Sequence, residues 1–257
     1  MKGLAKLLKN NDLSGAMNSI PWAELEKLQP ELTPELRGLL EKSAFAAAEA
    51  LPKGMTISFD VMNPEAVNWV RAHAAELVEQ NIIPTSQQAI REIIERAFEE
   101  GMHPFESARL IREQVGILPR HAKAVDTYRK MLLTPRPEGK GLLKTDADRL
   151  AMQYARQLIN YRSKVIARHE TLTASNEGQR QLWKQAKGED LISDVDWERK
   201  WIITPDEKLC SICVPLRGER APIDGIYPSG YRGPPEPHPQ CRCAEGLARK
   251  KKEKVAA

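Results

Sequence analysis

All four cysteines of this 257-residue chain lie between positions 210 and 243, and the 209 residues before them contain none. They form the pattern Cys210-x2-Cys213, followed after 24 residues by His238-x2-Cys241-x-Cys243. A CxxC turn lets two thiolates hold one metal ion, and a second His/Cys half completes a tetrahedral site. Clustering of this kind in a reducing compartment favours a metal over a disulfide framework. The pattern therefore predicts a metal centre, with structural zinc as the favoured ion.

Five candidate ligands compete for four positions, so the spacing leaves the ligand set open. Cys241 and Cys243 are two residues apart and would project from the same face of an extended segment. His238 is either a ligand or a hydrogen-bond partner of one. Two other states of the sulfurs also stay open: buried free thiols, and a Cys213–Cys241 disulfide formed once a particle leaves the reducing cell.

The segment that carries these residues, 191–245, is predicted to be a small loop-rich module with short β-strands. Pro and Gly are dense from Pro215 to Pro239, whereas Trp197 and Trp201 favour strands. A segment with so little apolar content needs an additional cross-link, such as a disulfide or a bound metal ion, to fold. We expect the metal centre to be that cross-link.

The rest of the chain carries helical patterns, and the predicted fold class is mainly α. In chain order we expect an N-terminal helical segment (1–55), a helical domain (56–135), a long helix or helical stem (136–190), the Cys/His module (191–245) and a basic tail (246–257). The Pro- and Gly-rich stretch at 134–144 is the clearest internal boundary.

Proline and capping residues predict where the helices begin. Starts are predicted at Thr33–Pro34, Pro64, Thr85 or Ser86, Pro104, Pro119 and Thr145–Asp146. The last helix is expected to be the longest, with an apolar stripe from Leu150 to Leu172. It either continues past Gly178 or kinks there, because glycine costs about 1 kcal/mol relative to alanine inside a helix.

Most of the net charge of +4 lies at the C-terminus. Residues after Cys243 include five basic and two acidic side chains, a net +3, which leaves +1 for residues 1–243. The basic residues of the tail are Arg249, Lys250, Lys251, Lys252 and Lys254. Such a tail is typical of a solvated chain end, and it can also bind phosphate in a salt-dependent manner. No apolar run approaches the roughly 20 residues that span a bilayer, so no membrane association is expected.

The predicted long helix contains three polar residues of interest, Arg168, Glu170 and Asn176. Arg168 and Glu170 lie about 200° apart around a helix, so we expect one to face a neighbouring element and the other to face solvent or the C-terminal module, as parts of a structural polar network. His169 is expected to be a satisfied core histidine. No catalytic or cofactor-binding residues are predicted, because the P-loop, GxSxG, HExxH and dinucleotide-binding signatures are missing.

Four segments stand out by their order and spacing. They are FDVMNPEAVNWV (59–70), VIARHETLTASNEGQRQLW (165–183), WIITPDEKLCSICVPLRG (201–218) and PPEPHPQCRC (234–243). Together they resemble the phage head morphogenesis family, the minor head proteins similar to the F protein of phage Mu. The resemblance runs from about residue 57 to residue 245. The family pattern Ile-Ala-Arg-Thr-Glu is matched except that His169 replaces the threonine, and the pattern CxxC…G…HPxCRC, preceded by Asp206, is matched in full.

The resemblance implies a non-enzymatic minor structural protein of a tailed-phage head, taking part in head morphogenesis near the portal. The implied partners are the portal and major capsid proteins and packaged double-stranded DNA, with no membrane and no small-molecule substrate. The implied location is the virion head, and the host cytoplasm during assembly. A further toxin or ADP-ribosyltransferase domain, which some relatives carry, is not expected. Two alternatives stay open from the residues: a metal-dependent nuclease and a zinc-containing DNA-binding protein.

Overall fold

A computed structural model of the chain describes residues 2–10, 12–99, 116–135 and 141–250. The helices are α1 (Lys2–Lys9), α2 (Leu13–Asn18), α3 (Ala23–Glu26), α4 (Leu28–Glu49), α5 (Pro64–Glu76), a π-helical turn (Leu77–Ile82), α6 (Ile83–Glu99), α7 (Pro119–Leu133) and α8 (Lys144–Gly188). A three-stranded antiparallel sheet of order β2-β1-β3 follows, with β1 at Trp197–Ile202, β2 at Arg220–Ala221 and β3 at Ala244–Arg249. The predicted fold class, mainly α with a small Cys/His module near short strands, is confirmed. Within the described ranges, no helix has both the length and the apolarity that a bilayer crossing requires.

Several predicted helix starts are confirmed. Helix α5 begins at Pro64, where the Asn63 side chain accepts a hydrogen bond from the Glu65 backbone N–H at 2.9 Å. Helix α7 begins at Pro119. Helix α8 is the longest described element, 45 residues that continue through Gly178 without a break. The helix predicted from Pro104 lies outside the described residues.

Two predicted starts are wrong. Helix α4 begins at Leu28, so Thr33 and Pro34 lie inside it. Thr85 does not open a new helix, because the π-helical turn joins α5 to α6 without interruption. Its hydroxyl instead donates a hydrogen bond to the Asn81 carbonyl at 2.6 Å. Ser and Thr use the same hydroxyl for capping and for bonding back to a preceding carbonyl, so the residue type alone does not distinguish the two roles.

The chain divides into two compact units, each built from two stretches of sequence. Unit 1 comprises Met1–Pro30 and Ala75–Lys164, and unit 2 comprises Glu31–Ala74 and Val165–Ala257. These units cut across the consecutive segments expected from the sequence, because sequence order does not record which helices pack together.

Unit 1 has an apolar core that includes Ile90, Ile94 and Ile117, all fully buried. Three charged side chains are buried in the described part of the same unit, those of Arg129, Asp148 and Arg162. The Arg162 guanidinium donates hydrogen bonds to the Gly116 carbonyl at 2.6 Å and to the Thr85 hydroxyl at 2.7 Å. Arg162 thus joins α8 to the start of α6 and to the loop that precedes α7.

Unit 2 packs α4 and α5 against the C-terminal part of α8, with Leu40, Val70 and Leu182 among its buried residues. Gly178 lies where α8 meets the α4 backbone. A Cβ atom at this position would lie 2.2 Å from the Leu40 carbonyl oxygen. Glycine at 178 therefore permits a close helix–helix approach, which explains its presence inside an unbroken helix.

We expect Gly178→Ala to destabilise unit 2 by about 1–3 kcal/mol, because overpacking against a backbone atom outweighs the gain in helix propensity. Gly38→Ala is the matched control. Gly38 also lies in a helix, but a Cβ there would have no neighbour within 4 Å, so this variant should gain up to about 1 kcal/mol. Urea unfolding of both variants measures the difference. Equal stabilisation by the two substitutions would contradict the close approach.

Candidate metal centre

Two turns carry the five candidate ligands. In the first, the Cys210 carbonyl accepts hydrogen bonds from the backbone N–H groups of Cys213 at 3.1 Å and Val214 at 3.2 Å. In the second, which follows the cis peptide between Pro234 and Pro235, the His238 carbonyl accepts from the Cys241 N–H at 3.0 Å. Backbone hydrogen bonds of the protein itself thus hold Cys210, Cys213 and Cys241 in these turns.

The side chains of all five residues meet in one cluster. His238 Nε2 lies 3.2 Å from the Sγ atoms of both Cys210 and Cys213. The donor atoms of Cys210, Cys213 and His238 lie within 4.8 Å of one another, and so do those of Cys213, Cys241 and Cys243. Cys213 belongs to both groups. The fold therefore gathers every ligand predicted from the sequence into a cluster that could hold a metal ion.

The cysteines of the cluster are free thiols rather than disulfides. Cys213 Sγ and Cys241 Sγ are 3.8 Å apart, far beyond the bond length of about 2.05 Å. The disulfide alternative is therefore not the state of this structure.

Burial governs the ionisation of the cluster. It raises the pKa of the Cys213 thiol, and it raises that of Cys241 to about 11. Burial also raises the pKa of Cys210, but backbone N–H groups at the turn outweigh this effect and the net shift is downward. Burial, and then the nearby His169 imidazole, lowers the pKa of His238, which favours the neutral imidazole that binds metals. A cation among the buried sulfurs would favour their thiolate forms.

An ion pair connects the two ligand-bearing turns. The Arg242 guanidinium donates to both carboxylate oxygens of Asp206. Asp206 also accepts a hydrogen bond from the Lys208 backbone N–H at 2.9 Å, which fixes the segment just before Cys210. Hydrogen bonding to Arg242 lowers the pKa of Asp206 from its ordinary 3.8 to about 2.

We expect the Asp206 carboxyl to titrate near pH 2 and to return towards 3.8 in Arg242→Gln. Because the folded pKa is depressed, the stabilising contribution of this pair is present above pH 3.8 and is lost as the pH falls through 2. Carboxyl carbon chemical shifts measured against pH check this. An unchanged midpoint in the variant would contradict the role of Arg242.

A buried charged network that the sequence reasoning missed lies beside the cluster. Arg199 is 1% exposed, and its guanidinium donates to Glu245 Oε2 at 2.8 Å and to the Arg232 carbonyl at 2.9 Å. The Glu245 carboxylate also accepts hydrogen bonds from the Arg180 guanidinium of α8 and from the Tyr227 hydroxyl, the latter at 3.1 Å. This network joins the strands and loops of the module to the end of α8. The alternation Trp197–Arg199–Trp201, which puts all three side chains on one strand face, could have revealed the buried arginine.

Arg168 and Glu170 of α8 face opposite ways, as expected: Glu170 faces a neighbouring helix and Arg168 faces solvent. Glu170 is buried and its carboxylate lies 2.5 Å from His73 Nε2 of α5, and the Trp69 ring stacks on His73 at 4.7 Å. Asn176 is also buried and donates to the Leu172 carbonyl, whereas Arg168 is exposed. The expectation of a satisfied His169 is wrong, because its buried Nδ1 has no hydrogen-bond partner within the described part of the chain.

The first two basic residues of the tail are held by the sheet. The Arg249 guanidinium lies 5.0 Å from the centre of the Trp197 ring. The Lys250 backbone N–H donates to the Asp196 carbonyl at 2.7 Å. The other predicted tail residues, Lys251, Lys252 and Lys254, lie outside the described residues.

Comparison of the chain with protein-family models, curated proteins and solved structures finds no match in any of the three.

Proposed function

We propose that this chain is a non-enzymatic structural protein of a tailed-phage head, acting in head morphogenesis near the portal. The observation that carries the proposal is the ordered set of four sequence segments that resemble phage head morphogenesis proteins. Two of these segments, 201–218 and 234–243, supply the five residues of the Cys/His cluster. A third, 165–183, lies in α8 and contains Arg180, which binds Glu245 of the module.

Zinc is the ion that best fits the cluster. Thiolates and an imidazole are the donors that zinc prefers, whereas magnesium and calcium take oxygen ligands. In each group of three, donor atoms within 4.8 Å of one another can reach a common ion through bonds of about 2.0–2.3 Å. Within the proposal, zinc would cross-link the two turns and supply folding free energy to a module with few apolar residues.

A structural role suits this donor set. Catalytic zinc keeps one coordination position for water or substrate, whereas structural zinc has four protein ligands. The cluster offers five protein donors, three of them buried cysteines, which is one more than a tetrahedral ion needs. The resulting rigid module would serve as a docking element for portal or capsid subunits.

DNA contact is the secondary part of the proposal, and it rests on the basic tail. Arg249 is the last residue of strand β3, and Lys250 follows it directly. Three further lysines lie within residues 251–254. Phosphate neutralisation by such a tail would give an affinity that falls steeply with salt.

Localisation and cross-linking test the proposal. We expect mass spectrometry to find the chain in purified proheads or virions, and lysine cross-linking to join it to portal or capsid subunits. Absence from both kinds of particle would overturn the structural role. For the tail, deletion of residues 249–257 should abolish the salt-dependent DNA affinity. An unchanged affinity would remove DNA contact through the tail while leaving the head role intact.

A further inference from the structure

The segment that follows Cys210 forms tight helical turns in which every third side chain shares a face. The backbone N–H groups of Cys213, Leu216 and Arg217 each donate to the carbonyl three residues before them, and residues i and i+3 are eclipsed in such turns. The face formed by Cys213 and Leu216 is buried. The other two faces are exposed and carry Ser211, Val214 and Arg217 on one and Ile212 and Pro215 on the other.

Three adjacent apolar side chains, Ile212, Val214 and Pro215, form an exposed ridge on these turns. Ile212 is 48% exposed and Val214 is 52% exposed, and Pro215 is also exposed. Single apolar side chains scattered over a surface are normal, whereas adjacent ones rimmed by polar residues mark interaction sites. Contact with a partner would remove this apolar area from water, which favours association.

The exposed ridge is ordered before any partner binds. Isoleucine and valine are branched at Cβ and have few χ1 rotamers, and proline has a fixed φ. The backbone of the ridge is held by the hydrogen bonds of the turns. A surface that is already ordered loses little conformational entropy on association.

Two exposed cations lie at one end of the exposed ridge. Arg217 shares a face with Val214 and is exposed. The Lys200 Cε atom lies 4.0 Å from the position of a Cβ atom on Gly218, the residue that follows Arg217. Neither Arg217 nor Lys200 forms a salt bridge within the residues that the structure describes.

The carboxylates nearest to these cations in the sequence are bound to other groups. Glu198 pairs with Arg220, and Glu219 accepts a hydrogen bond from the Ser229 hydroxyl at 2.7 Å. The rim of the exposed ridge therefore carries positive charge. Interfaces match positive surface with negative surface, so the complementary partner surface is acidic at its edge.

We infer that the exposed ridge binds a protein subunit of the head whose contact surface is apolar at its centre and acidic at its edge. This inference rests on the docking role proposed above and assigns the face of the module that makes the contact. An apolar centre with a polar rim is the usual anatomy of a protein–protein interface. Contacts to DNA go mostly to phosphate and sugar, and they would leave the three apolar side chains without partners.

Hydroxyl-radical footprinting of the full-length wild-type chain tests the contact face without any mutation. We expect oxidation of the exposed ridge to fall when the zinc-loaded chain binds proheads that were assembled in its absence. Val195 is the internal control, because it is 80% exposed and precedes β1, whereas Gly218 bonds to Trp201 near the other end of that strand. Unchanged oxidation of the ridge in the bound chain would overturn the inference and leave the head role intact. Absence of any binding to proheads would overturn both.

A double variant, Ile212→Ser with Val214→Ser, gives an independent measurement. It should bind proheads about tenfold more weakly than the wild type, whereas Val195→Ser should bind as the wild type does. Far-UV circular dichroism and metal content equal to those of the wild type show that the variants are folded. Undiminished binding by the double variant, or an equal loss in Val195→Ser, would contradict the assignment.

The charge of the rim is tested by Arg217→Glu, with Arg71→Glu as the matched control because Arg71 is exposed on α5 of the same unit. We expect Arg217→Glu to weaken prohead binding and to reduce its dependence on salt, and Arg71→Glu to change neither. Tighter binding by Arg217→Glu would contradict an acidic partner. Binding of a short DNA duplex that is lost in the double ridge variant would assign the ridge to nucleic acid and overturn the inference.

Discussion

Replacement of Cys213 by serine is expected to release the metal ion and to unfold the loops at 204–216 and 234–243. Cys213 is buried and belongs to both groups of donors. Any set of four ligands that connects the two groups therefore includes Cys213. Structural zinc in zinc-finger peptides contributes about 10–16 kcal/mol of apparent binding free energy at neutral pH. Loss of the ion should therefore destabilise the module more than the loss of any single apolar contact in it.

Metal analysis and hydrogen exchange measure this result. We expect about one zinc per wild-type chain and none in Cys213→Ser, with faster amide exchange in both loops and little change in α4 and α5. Ser211→Ala is the matched control, because Ser211 lies in the same turn but is exposed. A wild-type chain purified under reducing conditions without zinc would contradict the proposed ion.

The Cys/His cluster could be predicted from the sequence because its information is local. A CxxC turn fixes the separation of two donors, and His238, Cys241 and Cys243 fall within six consecutive residues. Folding has only to join two short turns. Helix α8 was predictable for a similar reason, because its apolar spacing is maintained over many turns.

Long-range pairings could not be predicted in this way. Glu245 binds Arg180 and Arg199, which lie 65 and 46 positions away. No periodicity links such residues, and each charged side chain by itself is typical of a solvent-exposed surface. The composition of the two units from interleaved stretches has the same origin, since helix packing partners are not encoded by neighbours in the sequence.

Glu245→Gln is expected to destabilise unit 2 by about 3–5 kcal/mol, the usual cost of removing one partner from a buried ion pair. The Glu245 side chain is fully buried and faces Arg199, which is 2% exposed at its side chain. Glutamine keeps the shape of the side chain but leaves Arg199 without its carboxylate partner and Arg180 with Glu177 alone. Burial and Glu245 together also raise the pKa of Tyr227, so this hydroxyl stays a hydrogen-bond donor to the carboxylate.

Urea unfolding of the zinc-loaded chain measures this loss, and metal analysis of the same samples separates it from an effect on the ion. Glu65→Gln is the matched control, because Glu65 forms an exposed pair with Lys184 in the same unit and should change stability by no more than about 1 kcal/mol. We expect Glu245→Gln to retain its zinc. A loss within the range of the control would contradict the role of the Arg–Glu network in fixing the module on α8.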